Sequence, residues 1–386
     1  MKGQIIVAAS LAQKPLQGGH AWVVLQYLLG FRRLGWQVLF IDNLADDMFR
    51  DAAGQACARA DSVNVQEFVR TMQQFGLVDD YCLICNESEE TIGLSRKEVL
   101  ERASGSTMLL NVMGFLKDPE IIERSGRNVF LDIDPGFGQM WESLGLARMF
   151  DGYDDFVTIG EAIGRPGCKI PDCGKRWVTT PQPIVLDQWP VHRSSENDRM
   201  TSIVSWRGAY APVEWKGGTY GLRAHEFRRF ASLPFRTGQA FELALSIHPA
   251  DAADLELLQT NGWGIVDPLT VAADPWSYRS YIQQSSAEIM VAKNMYVKGR
   301  SGWFSDRSIC YLASGKPVLA QDTGWRSIHS YTDGLLWFSC LEEAVEGVAH
   351  INADYERHAT AAREIAETCF ESDKVLTRLL HRLGLA

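Results

Sequence analysis

The stretch from residue 5 to residue 42 decides the fold, and it reads IIVAASLAQKPLQGGHAWVVLQYLLGFRRLGWQVLFID. Residues 5–9 are a short apolar run of the kind that is buried in a parallel sheet. Residues 21–34 carry apolar side chains at helical spacing, and Gly35 follows at the place where a helix commonly ends. Residues 38–41 form a second apolar run. This succession of strand, helix and strand predicts an α/β layer fold.

The same alternation continues along the chain in two series. A proline-rich segment, residues 180–190, separates them, and the polar run 194–199 follows it, so we predict an interdomain linker there. Two doubly wound, Rossmann-like domains should then face a central cleft, where α/β folds bind ligands. The further predicted strands are residues 82–85, 108–112, 129–133, 156–159, 202–205, 242–247, 264–266, 288–291, 317–320 and 335–337.

Domain boundaries follow from this division. We predict a first domain at residues 1–185 and a second at residues 186–360, with a separate terminal segment at residues 361–386. The terminal segment should be helical because its leucines recur at helical spacing. These leucines are Leu376, Leu379, Leu380 and Leu383.

The composition excludes several classes of protein. The 386 residues carry a net charge of −10, which argues against a sequence-independent nucleic-acid binder because such a protein needs a basic face. No apolar run approaches the length of about 18 residues that spans a membrane, and we expect neither a signal peptide nor an integral membrane segment. The eight cysteines are scattered, which favours reduced thiols, a cytoplasmic location and no metal site.

A glycine-rich loop precedes the first predicted helix and is the first candidate site. Gly18 and Gly19 would let the backbone approach a ligand closely, and the helix N-terminus offers free N–H groups. His20 stands at the mouth of this helix, where a neutral imidazole could take a proton from a hydroxyl group. Asp132 and Asp134 end a strand of the same domain and could orient His20 or bind hydroxyl groups. The alternative for His20 is a capping or solvent-facing side chain.

Two further segments of the second domain would face the cleft. Arg207 and Lys216 follow its first strand and could pair with a diphosphate, or they could be solvated charges on a surface loop. The other segment precedes a predicted helix at residues 309–314, whose first amides could hold phosphate oxygens, and its aromatic side chains could stack on a base or simply pack. We expect Asp322 to lie close to it. The candidates in this segment are Arg300, Ser301, Gly302, Trp303, Phe304, Ser305, Asp306 and Arg307.

These segments resemble the GT-B glycosyltransferases over nearly the whole chain. The opening at residues 15–20 is similar to the proline, glutamine, glycine and histidine pattern of family 1, and its glycine pair is similar to the opening of family 4. The stretch 315–324 resembles the donor-site strand of family 4, and residues 301–305 resemble the glycine–tryptophan loop of family 1. Family 4 carries two glutamates at positions that correspond here to Gly302 and Cys310, so the donor must be bound differently.

The resemblance implies a function. A sugar would pass from a nucleotide-diphosphate sugar, such as a UDP-sugar, to a hydroxyl group of a small-molecule, lipid or glycan acceptor. The first domain would bind the acceptor and the second the donor, the last helix would pack back on the first domain, and no metal or other cofactor would be needed. With His20 as the base the reaction inverts the anomeric configuration, whereas a dominant likeness to family 4 implies retention.

Three other functions fit parts of the pattern. A sugar-nucleotide epimerase of the same fold would bind the donor but need no acceptor. A non-catalytic nucleotide-sugar-binding protein would account for the missing glutamates. A dinucleotide-dependent oxidoreductase would carry the G-x-G-x-x-G fingerprint after its first strand, which Gly18 and Gly19 do not match.

Overall fold

The computed structural model describes residues 2–85, 90–193 and 198–385, and these residues form two α/β domains, each built on its own mainly parallel sheet. This architecture confirms the predicted α/β class and the GT-B arrangement of two doubly wound domains. The segment predicted as a linker joins the two domains, and its residues 180–193 contain no helix other than a short 3-10 turn at Leu186–Gln188. Residues 194–197 of the predicted polar run lie outside the described residues.

The first domain contains an eight-stranded sheet in the order β4-β3-β2-β1-β5-β6-β7-β8. Every neighbouring pair is parallel except β3 and β4. The apolar run at residues 5–9 forms the fully buried β1, as its composition predicts. The strands are β1 (Gln4–Ala8), β2 (Gln37–Leu44), β3 (Tyr81–Cys85), β4 (Glu90–Gly93), β5 (Ser106–Val112), β6 (Arg127–Asp132), β7 (Asp155–Thr158) and β8 (Trp177–Thr179).

The second domain contains a six-stranded parallel sheet in the order β13-β12-β9-β14-β15-β16 and a separate hairpin of β10 and β11. The hairpin follows the first strand of the sheet and turns at Lys216 and Gly217, both of which have positive φ. Positive φ at both central residues is typical of a two-residue hairpin turn. The strands are β9 (Met200–Ser205), β10 (Val213–Trp215), β11 (Gly218–Tyr220), β12 (Phe241–Ser246), β13 (Trp263–Val266), β14 (Ala287–Met290), β15 (Val318–Gln321) and β16 (Leu335–Phe338).

Helices cover both sheets. Those of the first domain are α1 (Gly18–Arg33), α2 (Val63–Gln74), α3 (Arg96–Ser104), α4 (Pro119–Arg124) and α5 (Phe137–Ser143). Those of the second part of the chain are α6 (Arg223–Phe227), α7 (Leu233–Thr237), α8 (Ala252–Thr260), α9 (Pro268–Val271), α10 (Pro275–Gln284), α11 (Asn294–Gly299), α12 (Asp306–Ala313), α13 (Leu341–Ala353), α14 (Tyr355–Ile365) and α15 (Ser372–Arg382).

The last helix packs against the first domain. Leu376 and Ser372 of α15 lie so close to Gly30 of α1 that a Cβ atom there would come within 2.5 Å of the Leu376 side chain. The backbone also joins the linker here, because Ile184 N–H donates to the carbonyl of Phe370 at 2.8 Å. One continuous apolar core therefore runs from β1 and α1 to the last helix.

Candidate active site

A cleft of about 480 Å³ lies between the two domains. The first domain contributes residues that follow β1, β5 and β6, and the second contributes residues that follow β9 and β14. In the first sheet β1 lies between β2 and β5, and in the second β9 lies between β12 and β14, so the strand order reverses at both places. The cleft therefore joins the switch points of both sheets, which is where doubly wound folds bind ligands.

His20 lines this cleft from the first turn of α1. Its Nε2 contacts the carbonyl oxygen of Ser10, so Nε2 carries the proton and Nδ1 is the unprotonated ring nitrogen. Burial, with a smaller contribution from the charge of Lys14, lowers the pKa of His20 to about 4, although the bond to Ser10 opposes this. The imidazole is thus neutral at pH 7 and can accept a proton at Nδ1.

The two predicted aspartates occupy different environments. Asp134 lines the cleft and bridges the domains, with Lys293 Nζ at 2.6 Å from its Oδ2 and the Tyr296 hydroxyl donating to its Oδ1. Asp132 is buried beneath it and accepts hydrogen bonds from Gln139 and Thr158. Burial raises the pKa of Asp132 to about 6. Neither carboxylate has a hydrogen bond to His20.

The glycine pair forms a domain contact. The Gly18 N–H donates to the carbonyl of Ala272 at 3.0 Å, and a Cβ at Gly18 would lie 2.2 Å from the carbonyl oxygen of Asp274. A Cβ at Gly19 would lie 2.6 Å from the Tyr278 ring. Gly19 lines the cleft, so the pair brings α1 against the second domain beside the cavity.

Two arginines of the second domain reach the cleft. Arg223 is 7% exposed and donates from one guanidinium nitrogen to the carbonyl of Ser205, while its buried Nε has no hydrogen-bond partner among the described residues. Burial, and then the charge of Arg307, lower its pKa to about 10. Arg307 is also buried but is paired with Glu288 of β14. Arg223 is therefore the arginine with capacity for an anionic ligand.

The segment ahead of α12 divides between the cleft and the core. Trp303 lines the cleft and stacks on Tyr296 at a centroid distance of 4.2 Å. Ser305 and Asp306 also line the cleft, and Ser305 occupies the N-cap position of α12 without a side-chain capping bond. Phe304 instead stacks between Trp325 and Phe370 in the core.

Besides Phe304, four other candidates of this region lie outside the cleft lining. The Ser301 and Gly302 carbonyls accept hydrogen bonds from Ala162 and Glu161 of the first domain, so this turn ties the two domains together. Arg300 has left-handed backbone geometry, with φ of 48°. Asp322 accepts a hydrogen bond from the Gly324 N–H and so stabilises the turn after β15.

Arg207 and Lys216 also lie away from the main cleft. Arg207 forms an exposed ion pair with Asp251, at 2.7 Å, beside a second cavity of about 510 Å³. Lys216 is in the hairpin turn, and its Nζ lies 5.2 Å from the centre of the Trp215 ring. The sequence pattern that suggested a phosphate loop here is the signature of this turn.

Sequence reasoning did not single out Lys14, Arg223, Lys293 and Tyr296, although all four line the cleft. Lys293 comes three residues after β14, so its place at the carboxyl end of a central strand was a usable signal. Lys14 lies in the loop already singled out before α1. Arg223 follows the β10–β11 hairpin, and no local pattern marks it.

A group of possible metal ligands lies elsewhere in the second part of the chain. Asp333, His350 and His358 bring ligand atoms within 4.8 Å of one another. The Gly334 N–H donates to Nδ1 of His358 at 3.1 Å, which leaves the proton of the neutral ring on Nε2. These residues do not line the cleft.

Among the residues with described structure, no helix is long and apolar enough to cross a membrane.

The fold defined by these two domains and their shared cleft is that of the GT-B glycosyltransferases, as the sequence resemblance predicted. An alpha-glucosyltransferase in complex with UDP-glucose and DNA matches with a TM-score of 0.61 at 12% identity, over 100% of both chains. An Anabaena protein, HepE, in complex with UDP and glucose matches with a TM-score of 0.57 at 12% identity, also over 100% of both chains. Sucrose-phosphate synthase from Thermosynechococcus elongatus matches with a TM-score of 0.54 at 11% identity, over 99% of both chains. No protein-family model matches the chain, and no curated protein matches its sequence significantly.

Proposed function

We propose that this chain is a glycosyltransferase that moves a hexose from a nucleotide-diphosphate sugar to a hydroxyl group of an acceptor. One observation carries the proposal: a single cleft between the domains combines two cations of the second domain, the guanidinium of Arg223 without an ion-pair partner among the described residues and the ammonium of Lys293, with a neutral histidine of the first. Similar folds have been solved with UDP or UDP-glucose bound, which makes a UDP-sugar the first donor to test.

The donor would bind against the second domain. The free Nε of Arg223 and the ammonium of Lys293 would face the diphosphate and stabilise the negative charge that develops on it. Trp303, already stacked on Tyr296, offers an aromatic wall for the base or ribose. Because these side chains supply the positive charge, we propose metal-independent transfer, and activity should survive chelation by EDTA.

The acceptor would be activated from the first domain. His20 Nδ1 takes the proton of the acceptor hydroxyl while the oxygen of that hydroxyl forms a bond to the anomeric carbon. The bond from that carbon to the β-phosphate oxygen breaks, and its electron pair leaves with the nucleoside diphosphate. A single displacement of this kind inverts the anomeric configuration.

A small-molecule, lipid or glycan acceptor fits this chain better than a nucleic acid. The alpha-glucosyltransferase of similar fold was solved with DNA. The present chain carries a net charge of −10, which opposes binding to a phosphate backbone.

The scattered cysteines, all eight of them free, support a cytoplasmic location.

The test is a thermal-stability screen against UDP, GDP, dTDP, ADP and CDP and their glucose conjugates. A ligand that binds only the folded protein stabilises it by about 2.7 kcal/mol at a hundredfold excess over its Kd. We expect a clear shift with one nucleotide family, and slow hydrolysis of the matching sugar conjugate without an acceptor. Conversion of that conjugate to an epimer would instead identify an epimerase, and no shift with any nucleotide would refute the donor site.

A further inference from the structure

Resting on the proposed function, we propose that the acceptor carries an anionic group, a carboxylate or a phosphate, on an apolar body, and that Lys14 binds this group. The inference names a substrate class for the acceptor half of the cleft. It follows from one half-buried cation, the absence of an ion-pair partner for it among the described residues, and the apolar wall beside it.

Lys14 lies in the loop between β1 and α1 and lines the cleft. Its ammonium is 5.9 Å from the centre of the Phe115 ring, and no carboxylate of the described residues lies within salt-bridge distance of it. Burial lowers the pKa of Lys14, and the charge of Lys293 acts in the same direction, while the charges of Asp134 and Asp42 oppose the shift. A cation that is removed from water without a partner is costly, and a bound anion would remove that cost.

The two carboxylates nearest to Lys14 are already engaged. Asp134 is held by Lys293 and the Tyr296 hydroxyl of the other domain. Asp42 accepts the N–H groups of Leu11 and Ala12, each at 2.6 Å, and thereby fixes the loop that carries Lys14. Both charges act on Lys14 from a distance, but neither carboxylate forms an ion pair with it, so a direct countercharge would come from a ligand.

The surroundings of Lys14 favour the acceptor over the donor. The lysine belongs to the first domain, whereas the cations that suit a diphosphate, Arg223 and Lys293, come from the second. Beside it the wall of the cleft is mainly apolar, and His20, the proposed base, lies close enough for the Lys14 charge to lower its pKa. The acceptor would therefore extend an apolar body from its anionic group to the reacting hydroxyl. The apolar wall consists of Val112, Met113, Phe115 and Ile133.

The experiment measures the binding of matched probes to the full chain saturated with UDP. One pair is 4-hydroxybenzoate and its methyl ester, and the other is phenyl phosphate and phenol, so the two pairs separate a carboxylate site from a phosphate site. We expect one anionic probe to bind at least about tenfold more tightly than its neutral partner, as close charge pairs in interfaces do. Lys14→Met should abolish this difference, and Lys14→Arg should retain most of it.

The controls separate the two proposals. Lys97→Met removes an 84% exposed lysine of the same domain and should leave both probe affinities unchanged. UDP should bind Lys14→Met as it binds the unaltered chain. A weakened UDP affinity in Lys14→Met, or equal affinities for anionic and neutral probes, would overturn the acceptor inference. Failure of the unaltered chain to bind any nucleotide would refute the proposed function instead.

Discussion

His20 is the residue on which the proposed reaction depends. Replacement by glutamine keeps the size and polarity of the side chain but removes the proton acceptor Nδ1, so we expect kcat/KM to fall by about 10²–10⁴. Nucleotide affinity should not change, because His20 belongs to the first domain. His381→Gln, on the exposed face of α15, is the matched control and should retain full activity. A His20→Gln variant of undiminished activity would assign the proton transfer to another group.

The pH profile gives a second test of His20. Its pKa in the folded protein is about 4, so the neutral base persists well below the ordinary value of 6.5. We expect the acidic limb of kcat/KM to lie near pH 4 rather than near 6.5. The unfolded chain takes up this proton at a higher pH, so stability should fall as pH decreases from about 6.5 to about 4. Glutamine at position 20 should flatten that part of the stability profile.

Arg223 and Arg207 differ in what their guanidinium groups can bind. Arg223 has a buried Nε without a partner, whereas Arg207 is committed to an exposed pair with Asp251. We expect Arg223→Met to raise the Kd for UDP at least about tenfold, a loss typical of a charged hydrogen bond. Arg207→Met should change it by less than about threefold. Isothermal titration of UDP into both variants measures these changes. A larger loss of affinity in Arg207→Met than in Arg223→Met would indicate that the diphosphate binds in the second cavity.

Sequence reasoning identified only part of this site. His20, Asp134, Trp303 and Ser305 were predicted from their places next to strands and helices, and they do meet in one cleft. Arg223 was missed because the β10–β11 hairpin separates it in the sequence from β9, whose last residue, Ser205, it contacts. Ion pairs could not be predicted either, because their partners are distant in the sequence. Nothing near Arg207 indicates its pair with Asp251, and nothing near Arg223 indicates that it has no carboxylate partner among the described residues.

At the scale of elements, Asp42, two residues before the end of β2, holds the loop that carries Ser10 and Lys14. Asp42→Ala would leave buried backbone N–H groups without an acceptor, at a cost of about 1–3 kcal/mol for such a group. We expect the free energy of unfolding to fall by at least about 2 kcal/mol. Urea titration measures this change, with the exposed Asp79→Ala as the control. An unchanged midpoint would show that another contact orders the loop.

The strands that sequence analysis missed are the two edge strands of the first sheet and the hairpin of the second domain. Every predicted strand corresponds to one in the structure, because buried parallel strands read as continuous apolar runs. The half-exposed β4 and the three-residue β8 lie at the edges of the first sheet, where few residues are buried and the apolar signal is short. The β10–β11 hairpin was predicted as a loop that either binds a diphosphate or carries solvated charges, because a lysine followed by glycine suits a loop as well as a tight hairpin turn.

At the scale of the whole molecule, Gly18 sets how closely the two domains approach. The methyl group of alanine would lie 2.2 Å from the Asp274 carbonyl oxygen, which is backbone and cannot swing aside. We expect Gly18→Ala to lower the free energy of unfolding by about 1–3 kcal/mol and to widen the cleft. Small-angle scattering should record a larger radius of gyration. Gly105→Ala, where the added atom would meet nothing nearer than 4.0 Å, should leave both quantities unchanged.

The contact between α1 and α15 joins two helices that are far apart in the sequence, and it affects when the first domain can complete its packing during synthesis. Domains generally form as they leave the ribosome, beginning with the first. Here the groove beside Gly30 is filled by Ser372 and Leu376, which are translated only after the whole second domain. The groove of the nascent first domain therefore stays uncovered until α15 has been translated. The packing of the first domain is completed only after the second domain has been made.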